Sequence, residues 1–153
     1  MFFPAEPPSL PPAAPAIVLV QGKSRGAAPE AALAERARRD GWSESQAGWI
    51  GKLGAAALAA EGGAKTLDEA YQQGRRGLSV GYFDNALSQG KTRLVAFLTV
   101  IDLEKQVAQR AGAAPPAYSD EALKAAYVAL AQAAEAGASS AEQLEIAFAS
   151  LRK

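Results

Sequence analysis

Residues 43–60, SESQAGWIGKLGAAALAA, set the pattern that the rest of the chain follows. Ser43 and Gln46 have the spacing of a capping box, in which each side chain bonds the other residue's backbone amide, so a helix is predicted from here to about Ala60. Small residues then recur at helical spacing, at Gly48, Gly51, Ala55 and Ala59. Glycine inside a helix costs about 0.5 to 1 kcal/mol relative to alanine, so this stripe indicates the close approach of another helix. The larger contacts of the helix are expected from Trp49, Ile50, Leu53 and Leu58.

The composition extends this pattern to the whole chain. The 153 residues are 49% hydrophobic and 21% charged, which is typical of one globular domain. Alanine makes up about half of the hydrophobic fraction, and it is the best helix former and a poor strand former. We therefore predict an all-α fold: a small multi-helix domain with an extended Pro-rich N-terminal arm and a C-terminal helical hairpin.

Helix signals lie on both sides of residues 43–60. Upstream, Pro29 suits a first helical position, and a helix over 30–40 would end at Gly41. Downstream, residues 66–69 form a second capping-box pattern that begins a short helix, which is predicted to end at Gly74. Residues 75–90 are expected to be the least regular part of the chain, with one helical turn over 84–88.

A long helix is predicted over residues 91–111, followed by a stop at Gly112. Its core side is expected to carry residues at roughly i, i+3, i+4 and i+7, namely Leu94, Phe97, Leu98, Ile101, Lys105 and Ala108. Because residues 94–101 are apolar and partly β-branched, a buried strand is the alternative for this stretch.

The last forty residues predict a helical hairpin. After Pro115 and Pro116, Ser119 caps a helix through Ala136, and Gly137 stops it; a third capping box at 139–142 then opens a helix to Leu151. The two helices are expected to face each other through Leu123, Tyr127, Leu130, Ala134, Leu144, Ala147, Phe148 and Leu151. We divide the chain into an arm (1–28), a helical core domain (29–112) and the hairpin (113–153), packed on or next to the core.

Proline marks the arm: seven of the nine prolines lie in the first 29 residues, and all of these except Pro29 belong to the arm. Proline lacks a backbone donor and restricts the residue before it, which favours extended or polyproline II conformation. The apolar residues of the arm are predicted to bind a partner. Side chains expected to fill pockets are Phe2, Phe3 and Leu10, and residues expected to add to a neighbour's sheet or to pack in a groove are Ile17, Val18, Leu19 and Val20.

The chain contains no histidine and no cysteine, which excludes several kinds of chemistry. Without them there is no Ser/His/Asp triad, imidazole metal site, thiolate nucleophile or zinc knuckle. Residues 90–92, Gly-Lys-Thr, resemble part of a phosphate loop, but Asn85 stands where that loop requires glycine. We therefore predict no catalytic residue, no metal and no cofactor, and we expect that the protein is not an enzyme.

Charge is balanced, with 16 basic and 16 acidic residues, so only local patches can attract a charged partner. The basic residues gather in two groups in the sequence: Arg36, Arg38 and Arg39, and then Arg75, Arg76, Lys91 and Arg93. Both groups could contact nucleic-acid phosphates or an acidic protein surface. Because acidic residues are interleaved with them, the protein surface is favoured.

These observations predict a non-enzymatic structural or assembly protein whose arm docks on neighbouring subunits of a large homo- or hetero-oligomeric complex, for example a phage virion head or head-to-tail connector. The alternative is a nucleic-acid-binding or regulatory protein that uses the two basic groups. No stretch approaches the roughly 20 apolar residues of a membrane span, so no membrane partner is expected. No secretory signal is recognisable, and the expected location is the cytoplasm or a particle assembled there.

Overall fold

The computed structural model describes residues 27–153, which form six helices and no strand. The helices are α1 (Ala27–Arg39), α2 (Glu44–Ala59), α3 (Leu67–Ser88), α4 (Arg93–Arg110), α5 (Asp120–Glu135) and α6 (Ser140–Leu151). The predicted all-α class is confirmed for this part of the chain. The first 26 residues, which hold nearly all of the predicted arm, lie outside the described residues.

Side-chain caps begin α2, α3, α5 and α6 where the sequence predicted them. α1 begins at Ala27, two residues before the predicted Pro29. The capping boxes of α2, with Ser43 and Gln46, and of α6, with Ser139 and Glu142, are complete. The one at α3 is only half formed: the hydroxyl of Thr66 accepts from the backbone amide of Glu69, but the Glu69 carboxylate accepts from the amide of Lys65. Glycines with positive φ follow α1, α4 and α5 at the predicted stops Gly41, Gly112 and Gly137, and Gly90 follows α3 in the same way.

The prediction that the third helix ends at Gly74 is wrong, and so is the irregular region over 75–90. α3 runs without interruption for 22 residues. Gly74 lies against the backbone of α2, where a Cβ would stand 2.6 Å from the carbonyl oxygen of Ile50 and 3.2 Å from the amide nitrogen of Gly54. Glycine here permits close packing of two helices rather than a helix end, and tertiary packing outweighs its low helix propensity.

The glycine stripe of α2 serves the predicted close approach, but not at every predicted position. A Cβ at Gly51 would lie 2.6 Å from the carbonyl oxygen of Glu30 in α1. Gly54, which the predicted stripe omitted, lies against α3, where a Cβ would be 2.8 Å from the carbonyl oxygen of Ala70. Gly48 has no such neighbour within 4 Å, and Ala59 is exposed, so the prediction is wrong for these two. α2 is therefore packed closely between α1 and α3.

Two hydrophobic clusters form the core, and α3 and α4 contribute to both. The first cluster joins α1, α2, the beginning of α3 and the end of α4, and its largest members include Ile50, Tyr71, Leu78 and Leu103. The second joins the end of α3, the beginning of α4 and the two last helices, with Phe83, Phe97, Val100, Leu130 and Leu144. Because α5 and α6 bury Leu130 and Leu144 together, the predicted hairpin is confirmed.

α4 is a helix over its whole length, so the alternative of a strand over 94–101 is wrong. The predicted core side is also partly wrong, because Leu94 and Leu98 are 41% and 40% exposed. The buried residues of α4 are Ala96, Phe97, Val100, Ile101, Leu103 and Val107. Apolar residues surround more of this helix than its neighbours cover, and the spacing alone does not indicate which side faces inward.

A matched pair of glycine substitutions tests the close packing. Gly74→Ala is expected to lower the free energy of unfolding by about 1–3 kcal/mol, because the new methyl group meets the α2 backbone. Gly48→Ala is expected to raise it by about 0.5–1 kcal/mol, because the helix gains propensity and nothing is displaced. Urea unfolding followed by circular dichroism measures both. Stabilisation of similar size by the two substitutions would contradict the packing described.

Candidate functional site

The predicted arm contacts, Phe2, Phe3, Leu10, Ile17, Val18, Leu19 and Val20, lie outside the described residues and stay a prediction. The predicted basic groups lie within residues 27–153, and the structure shows what each guanidinium contacts.

Arg36, in the first basic group, is engaged within the chain. Its Nη1 donates to Oδ1 of Asp68 at 3.0 Å, and its Cζ lies 4.0 Å from the centroid of the Tyr71 ring. The Tyr71 hydroxyl in turn donates to Oδ2 of Asp40 at 2.6 Å. Burial, together with this bond to a carboxylate, raises the pKa of Tyr71 well above its usual range. Arg36 is thus part of a compact group that joins the end of α1 to the beginning of α3.

Arg38 is neutralised by two carboxylates. It forms ion pairs with Glu44 at 3.0 Å and with Glu35 at 3.2 Å. The hydrogen bond to Glu44 is the main cause that raises the pKa of the Arg38 guanidinium. Arg39, the last member of the group, is exposed at the end of α1. Two of the three arginines therefore already bind carboxylates, which reduces the positive charge that a phosphate backbone would meet.

The structure divides the second basic group. Arg75 and Arg76 lie in the middle of α3, whereas Lys91 and Arg93 lie beyond its end, roughly 20 Å away at the helical rise per residue. Arg76 pairs with Glu145 at 3.3 Å. Arg93 donates to Oε1 of Gln143, also at 3.3 Å.

Arg75 instead joins the first group. Its Cζ lies 5.8 Å from the ring centroids of Tyr71 and of Trp42. The structure thus brings Arg36 and Arg75 together at Tyr71, although 39 positions separate them in the sequence. The two predicted basic groups do not form two continuous patches.

An apolar groove between α4 and α5 is the main surface feature that sequence reasoning missed. This α4–α5 groove has a volume of about 370 Å³. Its apolar lining is Val95, Leu98 and Ile101 of α4 with Leu123 of α5, and its polar lining is Thr99, Asp102 and Lys105. Val95 is 43% exposed, so large aliphatic side chains remain uncovered by the rest of residues 27–153. The available signal was the apolar content of α4, which exceeds what one buried helix face requires.

Between residues 27 and 153, no helix is long and apolar enough to span a membrane. The same residues contain no group of three or more carboxylates placed to hold a metal ion. In comparisons with known proteins, no family model, no curated protein and no solved structure matches the chain.

The hydrogen bond from Tyr71 to Asp40 gives a pH-dependent prediction. Tyr71→Phe is expected to lower the free energy of unfolding by about 1–2 kcal/mol at neutral pH, because it removes the hydroxyl that donates to the Asp40 carboxylate while the ring beneath Arg36 remains. The raised pKa in the folded state means that the hydroxyl's contribution is complete below about pH 10 and is lost as the pH rises toward the folded value.

The free energy of unfolding of wild type should therefore exceed that of Tyr71→Phe by about 1 kcal/mol less near pH 10.5 than at neutral pH. Urea unfolding at the two pH values measures it, and the other three tyrosines are common to both proteins. A difference that is the same at both pH values would contradict this assignment.

Proposed function

We propose that this chain is a non-enzymatic assembly protein in which the N-terminal arm of one copy docks in the α4–α5 groove of a neighbouring copy. The groove is the observation that carries the proposal. Leu94, Val95 and Leu98 are each about two-fifths exposed on one half of α4. Contiguous exposed apolar surface with a polar edge is typical of protein interaction sites, and its burial supplies about 25 cal/mol per Å².

The arm is a suitable occupant because of its apolar residues and its size. Residues 17–20, Ile-Val-Leu-Val, form a continuous apolar run that would span about 13 Å if extended. The groove extends along α4 from Val95 to Lys105, which is about 15 Å at the helical rise. The run and the groove therefore agree in length and in chemistry.

The arm is also long enough to reach another molecule. Twenty-six residues precede Ala27, and an extended chain of that length spans at most about 85–95 Å. Of the two docking modes that the sequence predicted, addition to a sheet needs a free strand edge, and residues 27–153 contain no strand. Packing in a groove is the mode that residues 27–153 of a second copy can offer.

The proposal implies an assembly of repeated subunits. A virion head or head-to-tail connector is one example, by analogy with particles whose subunits are linked by extended arms. The cytoplasm, or a particle assembled there, is the corresponding location. Docking on a subunit of different sequence is the hetero-oligomeric alternative, which a monomeric full chain would favour over this proposal.

Native mass of the full chain and of three variants tests this proposal. The full chain is expected to form oligomers, whereas deletion of residues 1–22 and Leu98→Asp are each expected to give monomers with unchanged helical circular dichroism. The deletion removes the occupant, and the aspartate places a charge in the groove. Leu67→Asp is the matched control, because Leu67 is 51% exposed on α3 and lies outside the groove.

Analytical ultracentrifugation at several protein concentrations, before and after nuclease treatment, measures the mass. Oligomers that survive deletion of residues 1–22 would contradict the proposal, and so would a full chain that stays monomeric. Oligomers that nuclease dissociates would favour the alternative function, nucleic-acid binding through the basic groups.

A further inference from the structure

A second groove lies between the two hydrophobic clusters. This arginine groove, about 310 Å³ in volume, is lined by residues from α3, α4, α6 and the connection between α1 and α2. The lining residues that matter here are Trp42, Arg75, Arg76, Glu104, Phe148 and Arg152. One aromatic wall, Trp42, belongs to the first cluster, and Phe148 packs against the second. The groove is therefore bounded by both halves of the core.

Positive charge exceeds negative charge in the arginine groove. Three guanidinium groups line it with two carboxylates, Glu104 and Glu145. Arg76 pairs with Glu145 at 3.3 Å, which leaves Arg75 and Arg152 with Glu104. Burial raises the pKa of Glu104, although these two arginines and a hydrogen bond from Tyr118 oppose the effect. The local field accordingly favours an anion.

Arg75 has a hydrogen-bonding requirement that residues 27–153 do not meet. Its Nη1 donates to Oε1 of Gln72 at 3.0 Å, but its buried Nε has no acceptor among these residues. Because this Nε is buried, the terminal nitrogens are the donors that Arg75 offers to a ligand in the groove. A guanidinium presents its donors as a planar fork that matches the oxygens of a carboxylate or phosphate.

We infer that the arginine groove binds a small organic oxyanion, a carboxylate or a phosphate monoester, that carries a flat apolar group. Arg75 and Arg152 bind the oxyanion, and Trp42 and Phe148 contact the apolar group. The volume is at the lower end of the range for small-molecule sites, which matches a ligand of one or two rings rather than a polymer. This site is independent of the α4–α5 groove.

The two tryptophans provide the test. Trp42 lines the arginine groove and Trp49 does not, so their indole N–H signals in a ¹H–¹⁵N NMR spectrum report on the site and on an internal control. The probes are 2-naphthoate, 2-naphthyl phosphate and uncharged 2-naphthamide, and Trp49→Phe assigns the signals. We expect a saturable shift of the Trp42 signal with at least one oxyanion, and none with the amide. The comparison of the two oxyanions identifies which group the site prefers.

Substitutions then assign the shift to the arginines. Arg75→Met is expected to weaken binding about tenfold or more, as loss of a charge-assisted hydrogen bond implies. Arg39→Met is the matched control, since Arg39 is exposed and lies outside the groove. Arg152→Gln, at an exposed position, provides the same test if Arg75→Met does not fold. Three results would overturn the inference: no saturable shift with either oxyanion, an equal shift with the amide, or equal affinity in the groove variants and Arg39→Met.

Discussion

The backbones of α2 and α3 cross so closely that no side chain fits between them at Gly54 and Gly74. A Cβ at either glycine would stand under 3 Å from a carbonyl oxygen of the other helix. This approach brings Ile50 of α2 into the core beside Tyr71 and Leu78. It also fixes the beginning of α3, and the end of the same helix then carries Phe83 into the second cluster, where the hairpin packs. Both halves of the core therefore depend on α3 being continuous.

A buried amide reinforces the same junction. Gln46 completes the cap of α2 by accepting from the backbone amide of Ser43 at 2.9 Å, while its Nε2 donates to the Tyr82 hydroxyl at 3.0 Å. Its Oε1 also accepts from Arg110 at the end of α4 at 3.1 Å. One side chain thus links α2, α3 and α4, and the surrounding polar groups provide it with partners on both its oxygen and its nitrogen.

The sequence predicts most helix boundaries correctly because caps and stops are local. Ser43, Ser139 and the positive-φ glycines act on backbone groups within a few residues, so their spacing is sufficient. Gly74 is different, because the same residue type ends one helix and allows another to pack closely. Whether Gly74 ends a helix or allows close packing depends on the neighbouring helix α2. The α2 residues that contact it, Ile50 and Gly54, lie at least 20 positions earlier in the chain. The failure over 75–90 follows from this one ambiguity.

The candidate sites were less predictable for a related reason. The sequence identifies Arg36, Arg75 and Arg76 as basic. The acidic partner of Arg36 is Asp68, 32 positions away, and that of Arg76 is Glu145, 69 positions away. The arginine groove likewise joins residues as far apart as Trp42 and Arg152. The α4–α5 groove forms between consecutive helices, but which side of α4 stays uncovered depends on how the whole helix packs.

Amide hydrogen exchange along α3 tests its continuity most directly. If α3 is one helix held by α2, the buried stretch around Gly74, Leu78 and Tyr82 exchanges as slowly as Ile50, by global unfolding. Fast exchange over 75–83 by local opening, while α2 stays protected, would contradict this.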